Sequence, residues 1–343
     1  MNRALLALLL VGVSASAHAD VWQQALDGGV QDEYDRALAT GDGYALQANA
    51  ASQTAVTVSR LVDLAIDQYT QAAKLRPAAG EPYFRIASTL ESFYTDCPSV
   101  PRAYRLQQHV PQTCPDLGRS MDLVRAGQAV AAWEAFEKRA PLDPRISETM
   151  FSRAILRTKL VEGVKNARPL LEGALADYRA LLDRNDGLSV ADPDQVWGNL
   201  AETYMMLGRM EEAIDAYREA LKNGANASTA YGLAVALDRD GSPSEAIETI
   251  RAHTVEGFQQ YRTMIAMGQI FYVPRGEEHY YLALILEAFE NYPESRAEWQ
   301  AFIASKAHPK FQARAKQHVD AINAKLKAQP ALLHREFDPF PID

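Results

Sequence analysis

A chain of 343 residues that is 48% hydrophobic, with 19 Gly and 17 Pro, can bury a sizeable core and is neither disordered nor fibrous. Its 44 acidic against 35 basic side chains give a formal net charge of −9. That balance argues against a nucleic-acid partner, because phosphate binding needs a basic field.

The chain opens MNRALLALLLVGVSASAHA: Arg3, an apolar run from Ala4 to Val13, then Ala17-His18-Ala19. Residues 1–19 read as a secretory signal peptide, so a mature protein is expected to begin at Asp20. The run falls short of the ~18 apolar residues of a membrane span, and no transmembrane segment is expected. The short leader looks bacterial, which places the protein in the periplasm, with secretion to the medium as the alternative.

Residues 20–183 read as a degenerate helical region. From Asp20 to Leu46 the pattern predicts short helical fragments, broken at Gly28-Gly29 and at Gly41-Asp42-Gly43. Leu61, Leu64, Ala65, Tyr69 and Ala72 then recur at helical spacing up to Pro77. Pro82 opens another helix, with Phe84, Ile86, Ala87, Leu90 and Phe93 apolar. Residues 97–114 are an insertion made irregular by Pro98, Pro101 and Pro111. Cys97 and Cys114, the two cysteines of the chain, are expected to close it with a disulfide. A loop of this length would gain about 3 kcal/mol from that closure. Redox and metal readings find no C-x-x-C pair to rest on. Helical runs resume with Leu123, Ala129, Ala132, Trp133 and Phe136, then Met150, Ala154, Ile155 and Leu160, then Leu170, Leu171, Ala174, Tyr178 and Leu181. The polar stretch Arg184 to Pro193 is the best internal boundary, or the joint between two repeats.

From Asp194 to Ala227 the periodicity is sharpest. Val196, Trp197, Leu200, Ala201, Tyr204 and Leu207 share one helix face, Gly208 permits a left-handed stop, and Met210, Ala213, Ile214, Tyr217, Ala220 and Leu221 form a second face. The set Trp197, Leu200, Ala201, Tyr204, Gly208, Ala213, Tyr217 and Ala220 resembles the tetratricopeptide repeat, a helix-turn-helix unit of roughly 34 residues. The resemblance implies an all-α fold, a right-handed superhelix of stacked repeats that binds other proteins. A second unit follows at a shift of 33, with Leu233, Ala234, Leu237, Gly241 and Ala246 in register. Ser242-Pro243-Ser244-Glu245 predicts a capping box at its second helix. A third lies at a shift of 82, with Leu282, Ala283, Leu286, Ser295, Trp299 and Phe302. Residues 254–275 separate the last two units and are too apolar for a plain loop; an extra packed helix is the favoured reading, closure over a groove the other. The repeat region 194–327 ends in a capping helix carrying Phe311, Ala315, Val319, Ile322 and Leu326 on its buried face and Lys310, Arg314, Lys316, Lys325 and Lys327 on the other. Residues 328–343 are expected to be an extended tail.

No H-E-x-x-H, G-x-S-x-G, Walker or Rossmann fingerprint occurs, so neither catalysis nor a cofactor or metal is expected. Glu277-Glu278-His279 are consecutive, and their side chains diverge around a helix. What the resemblance implies instead is a concave groove for a partner peptide or helix. Carried through the register, its stripe holds Gln195, Asn199, Glu202 and Met206, then Arg239, then Tyr281 and Leu284. The expectation is a non-catalytic scaffold of the bacterial cell envelope whose partner is a protein. The alternative is a small-ligand or glycan receptor using Tyr261, Phe271, Tyr272, Tyr280 and Tyr281.

Overall fold

Three- and four-residue apolar spacing becomes α-helix wherever the computed structural model describes the chain, namely residues 27–50, 54–94, 122–184, 192–224, 227–252, 255–266 and 274–334. The signal peptide expected at residues 1–19 and the disulfide expected between Cys97 and Cys114 lie outside these residues. Six helical hairpins follow one another: α1 (27–48) with α2 (Ala55–Leu75), α3 (Glu81–Tyr94) with α4 (Leu123–Arg139), α5 (Ile146–Lys159) with α6 (Arg168–Asp183), α7 (Pro193–Met206) with α8 (Met210–Asn223), α9 (Ala227–Asp240) with α10 (Pro243–Arg251), and α12 (Glu278–Ala288) with α13 (Tyr292–Ser305). α11 (Val255–Ala266) stands between the last two, and α14 (Gln312–Ala328) packs on α13. Each second helix also packs on the first helix of the next hairpin, α10 reaching α12 past the intervening α11, and α13 packs on α14. The chain is an all-α repeat solenoid. Among the described residues no helix is long and apolar enough to cross a membrane.

The same turn recurs in three hairpins. Gly208, Gly241 and Glu290 all have positive φ, at 75°, 100° and 61°. The residue after each returns its N–H to a carbonyl five positions back: Arg209 to Tyr204, Ser242 to Leu237 and Asn291 to Leu286, at 2.8 to 2.9 Å. This is the hydrogen bond that closes a helix on a left-handed residue. The third hairpin of the set makes the turn with a side chain that glycine would spare.

Small residues let the paired helices approach: Ala201, Ala213, Ala234, Ala246 and Ala283 are fully buried, and Ser295 gives its hydroxyl to the Ala283 carbonyl at 2.8 Å. Trp133, Trp299, Tyr178 and Phe302 fill the volume between them. One apolar cluster runs without a break from Ala154 to Leu326, across the stretch read as a boundary at 184–193. A second, from Ala48 to Leu160, meets it in α5. There Arg153 and Arg157 occupy helix-packing positions and are matched by Asp177, Glu137 and Glu134 at 2.5 to 2.9 Å.

Several expectations are corrected. Residues 27–48 form one helix through Gly41 and Gly43, because a β-carbon at Gly41 would stand 2.5 Å from the Tyr69 ring and the glycine is there for that contact. Ser242 caps α10 without a side-chain hydrogen bond, and Glu245 turns instead to Arg218 at 3.0 Å. Arg314 does not join the outer basic face of α14 but reaches inward to Asp238. Residues 330–334 form a short 3-10 helix, so the tail is not extended over that part.

Candidate functional site

The first helices α7, α9 and α12 carry the stripe expected to line a groove. Gln195 is exposed; Asn199 and Met206 are half-buried. The others point inward. Tyr281 and Leu284 are buried, and the Arg239 side chain is 1% exposed. Glu202 turns its carboxylate to the hydroxyls of Tyr217 at 2.6 Å and Tyr281 at 3.0 Å. Burial holds its pKa above the ordinary glutamate value despite those two donors. The predicted groove therefore does not stand open here.

Two features close it. Gly232, on the stripe in α9, leaves the space into which Tyr217 projects: a β-carbon there would lie 2.5 Å from the tyrosine ring. α11 then packs on α9 and α12, burying Phe258 and Tyr261. Tyr261 meets Tyr231 edge-on at 5.0 Å and stands close enough to Glu202 and Glu277 to feel both charges. Within the apolar insertion, residues 255–266 form a helix that packs on the first helices α9 and α12, where the stripe runs.

Next to it Arg239 lies between the rings of Tyr280 and Phe311, its guanidinium 4.3 Å from each centroid, and pairs with Glu277 at 2.5 Å. Glu277, Glu278 and His279 do diverge: to Arg239, to the Gly276 N–H at 2.7 Å and to Glu298 at 2.6 Å. Among the described residues no group of His, Cys, Asp and Glu is placed to hold a metal ion. Tyr261, Tyr280 and Tyr281 are core residues, which removes them as a sugar-stacking surface; Phe271 and Tyr272 lie outside the described residues.

The stripe is open elsewhere. Tyr83, Ile86, Ala87 and Leu90 in α3 stand 114 positions before Trp197, Leu200, Ala201 and Tyr204, which puts Ser88 and Ser92 in register with Glu202 and Met206. With α1 they bound a recess of about 320 Å³ lined by Asp42, Ala45, Leu46, Asn49, Ser88, Thr89, Ser92 and Phe93. Leu46 is 75% exposed. Asp42 accepts from Tyr69 at 2.9 Å, as Glu202 accepts from Tyr217, and pairs with Arg85. The rest of the lining offers hydroxyls and an amide that can donate or accept. Sequence reasoning missed this site because α1 looked broken, yet the i, i+4 pairs Ala45–Asn49 and Ser88–Ser92 were there to find.

A second shallow recess, about 280 Å³, has Trp197, Leu200, Tyr204 and Ala216 with Glu212, Asp215 and Glu219 around it. Trp197 is thus only partly buried, short of the full packing expected of it. The three carboxylates already face Arg209, Arg218 and Lys222, and Arg218 is shared with Glu245.

Residues 171–228, from α6 to the start of α9, match the sequence profile of the family described as tetratricopeptide repeat. Among solved structures the chain is similar to TTC0263, a thermophilic TPR protein of Thermus thermophilus, at 14% identity over 68% of this chain and 98% of that one, with a TM-score of 0.32. It is also similar to yeast Tom70, at 13% identity over 88% of this chain and 66% of that one, with a TM-score of 0.28. No curated protein matches the sequence.

Proposed function

From a chain that carries tetratricopeptide repeats, we propose a non-catalytic scaffold of the bacterial cell envelope that holds an extended segment of a partner protein in the recess between α1 and α3. The repeat itself supports protein–protein interaction in general; the recess supports this particular place for it. Its exposed Leu46 provides an apolar contact, and Asn49, Ser88 and Ser92 offer hydrogen bonds to a peptide backbone. Among the described residues no exposed aromatic ring lines it, which favours a peptide over a sugar. The envelope part of the proposal rests on the leader at residues 1–19.

The test is affinity recovery of a partner from envelope extract with the mature chain as bait. Leu46→Asp combined with Ser92→Arg should abolish recovery, while Asp215→Ala, on the other recess, leaves it intact. Equal recovery by all three baits contradicts the proposed place. Fractionation of cells tests the compartment: the processed chain should co-fractionate with periplasmic markers, and an unprocessed cytoplasmic chain contradicts it.

A further inference from the structure

α11 is held on the first-helix face of α9 and α12 by two aromatic side chains three residues apart. Phe258, fully buried, meets Phe289 with centroids 6.1 Å apart. Tyr261, 2% exposed, meets Tyr231 edge-on with centroids 5.0 Å apart and lies within range of the Glu202 charge. The other side of the helix is in solvent: Gln260, Arg262 and Thr263 are exposed, and Arg262 comes no nearer than 4.0 Å to Glu294. The face beneath is covered but not satisfied. The hydroxyl of Tyr231 is buried with no hydrogen-bond partner among the described residues. A buried donor without a partner is costly, and native interfaces rarely keep one unless something else visits it. α11 therefore supplies the shape of a helix in a groove and omits part of its polar chemistry.

We propose that α11 is a built-in competitor for the groove of α7, α9 and α12, displaced by an amphipathic helix from a protein partner. That helix presents two aromatic residues at i and i+3, replacing Phe258 and Tyr261, and a hydrogen-bond acceptor for Tyr231. A covalently attached helix competes at an effective concentration in the millimolar range, so the groove stays shut to weak binders and opens to a helix that adds the missing bond. The inference rests on the first-helix face being the binding face of the solenoid.

The test needs no envelope partner, so its outcome is separable from recovery at the α1–α3 recess. A fluorescent peptide with the sequence of Val255–Ala266 is titrated into the mature chain and into its Phe258→Ala/Tyr261→Ala variant. At least ten-fold tighter binding to the variant is expected, and a peptide carrying the same two alanines should not bind. Equal affinity for both proteins overturns the proposal. Hydrogen exchange on the unaltered chain gives a second reading that survives misfolding of the variant. Amides of α11 should exchange at least ten-fold faster than those of α9 and α12, and equal protection overturns it.

Discussion

His318 lies flat on the indole of Trp299, ring centroids 4.3 Å apart and planes 13° apart, and each of its ring nitrogens faces a carboxylate: Nδ1 to Glu287 at 2.8 Å, Nε2 to Asp238 at 3.1 Å. Arg314 and Tyr280 converge on the same Asp238. This arrangement fastens α14 to α9 and α12, and it needs both ring nitrogens to donate.

Burial alone would pull the pKa of His318 down, but the hydrogen bonds and charges of Asp238 and Glu287 outweigh it and raise it to about 9. A histidine raised in the folded state stabilises fully below its unfolded value near 6.5 and loses that contribution as pH climbs through about 9. Thermal melts across this window should show stability falling by on the order of 2–3 kcal/mol. His318→Gln should be less stable at pH 6 and nearly flat over the same range. An unchanged slope in the variant would assign the titration to another group.

Gly232 and Gly198 occupy helix interiors and should respond oppositely to alanine. At Gly232 the new β-carbon meets Tyr217 at 2.5 Å, while at Gly198 the nearest atom is 3.9 Å away. Gly232→Ala is expected to cost about 1–3 kcal/mol as overpacking, and to part Tyr217 from Glu202. Gly198→Ala is expected to gain roughly 0.5–1 kcal/mol from helix propensity. Urea unfolding of the pair measures both, and two changes of the same sign would contradict the packing described.

Glu290 holds φ at 61° where the equivalent turns use glycine. Its ion pair with Arg251, at 3.5 Å between half-exposed side chains, offsets little of that strain. Glu290→Gly should stabilise by about 1 kcal/mol, seen as a higher urea midpoint at an unchanged slope. A lower midpoint would mean the ion pair outweighs the backbone.

Asp177 is the shared partner of Arg153 and Arg157, and it is 5% exposed. Asp177→Ala leaves the buried Arg153 without its bidentate partner and should destabilise by about 3–5 kcal/mol. Replacing Arg153 by Met at the same time should recover part of the loss, since the charge that needed pairing is gone. No recovery in the double variant would show that the aspartate acts through some other contact.

The helical repeats were legible because their signals are local. Trp197 to Ala220 states its two faces and its turn within one window, and Gly241 repeats the turn in register. The groove was legible only as a line of positions. Whether that line is open depends on Tyr217 entering the space at Gly232, on Glu277 arriving from a loop 38 residues after Arg239 to neutralise it, and on α11 folding back over Tyr231. None of these is a nearest-neighbour pattern. The same holds for α1, where Gly41 looked like a breaker and serves instead to admit the Tyr69 ring. Arg314 and His318 sat in a helix whose basic face suggested solvent, and the buried Asp238 that draws them inward lies 76 and 80 positions away.

The claim that the first-helix face binds a partner at α1 and α3 is tested most directly by site-specific photocrosslinking in living cells. A photoreactive residue at position 46 or 88 should yield one discrete adduct of common mass, and the same residue at position 215 should yield none. Absence of any adduct at 46 and 88, or an identical set of adducts at all three positions, would contradict it.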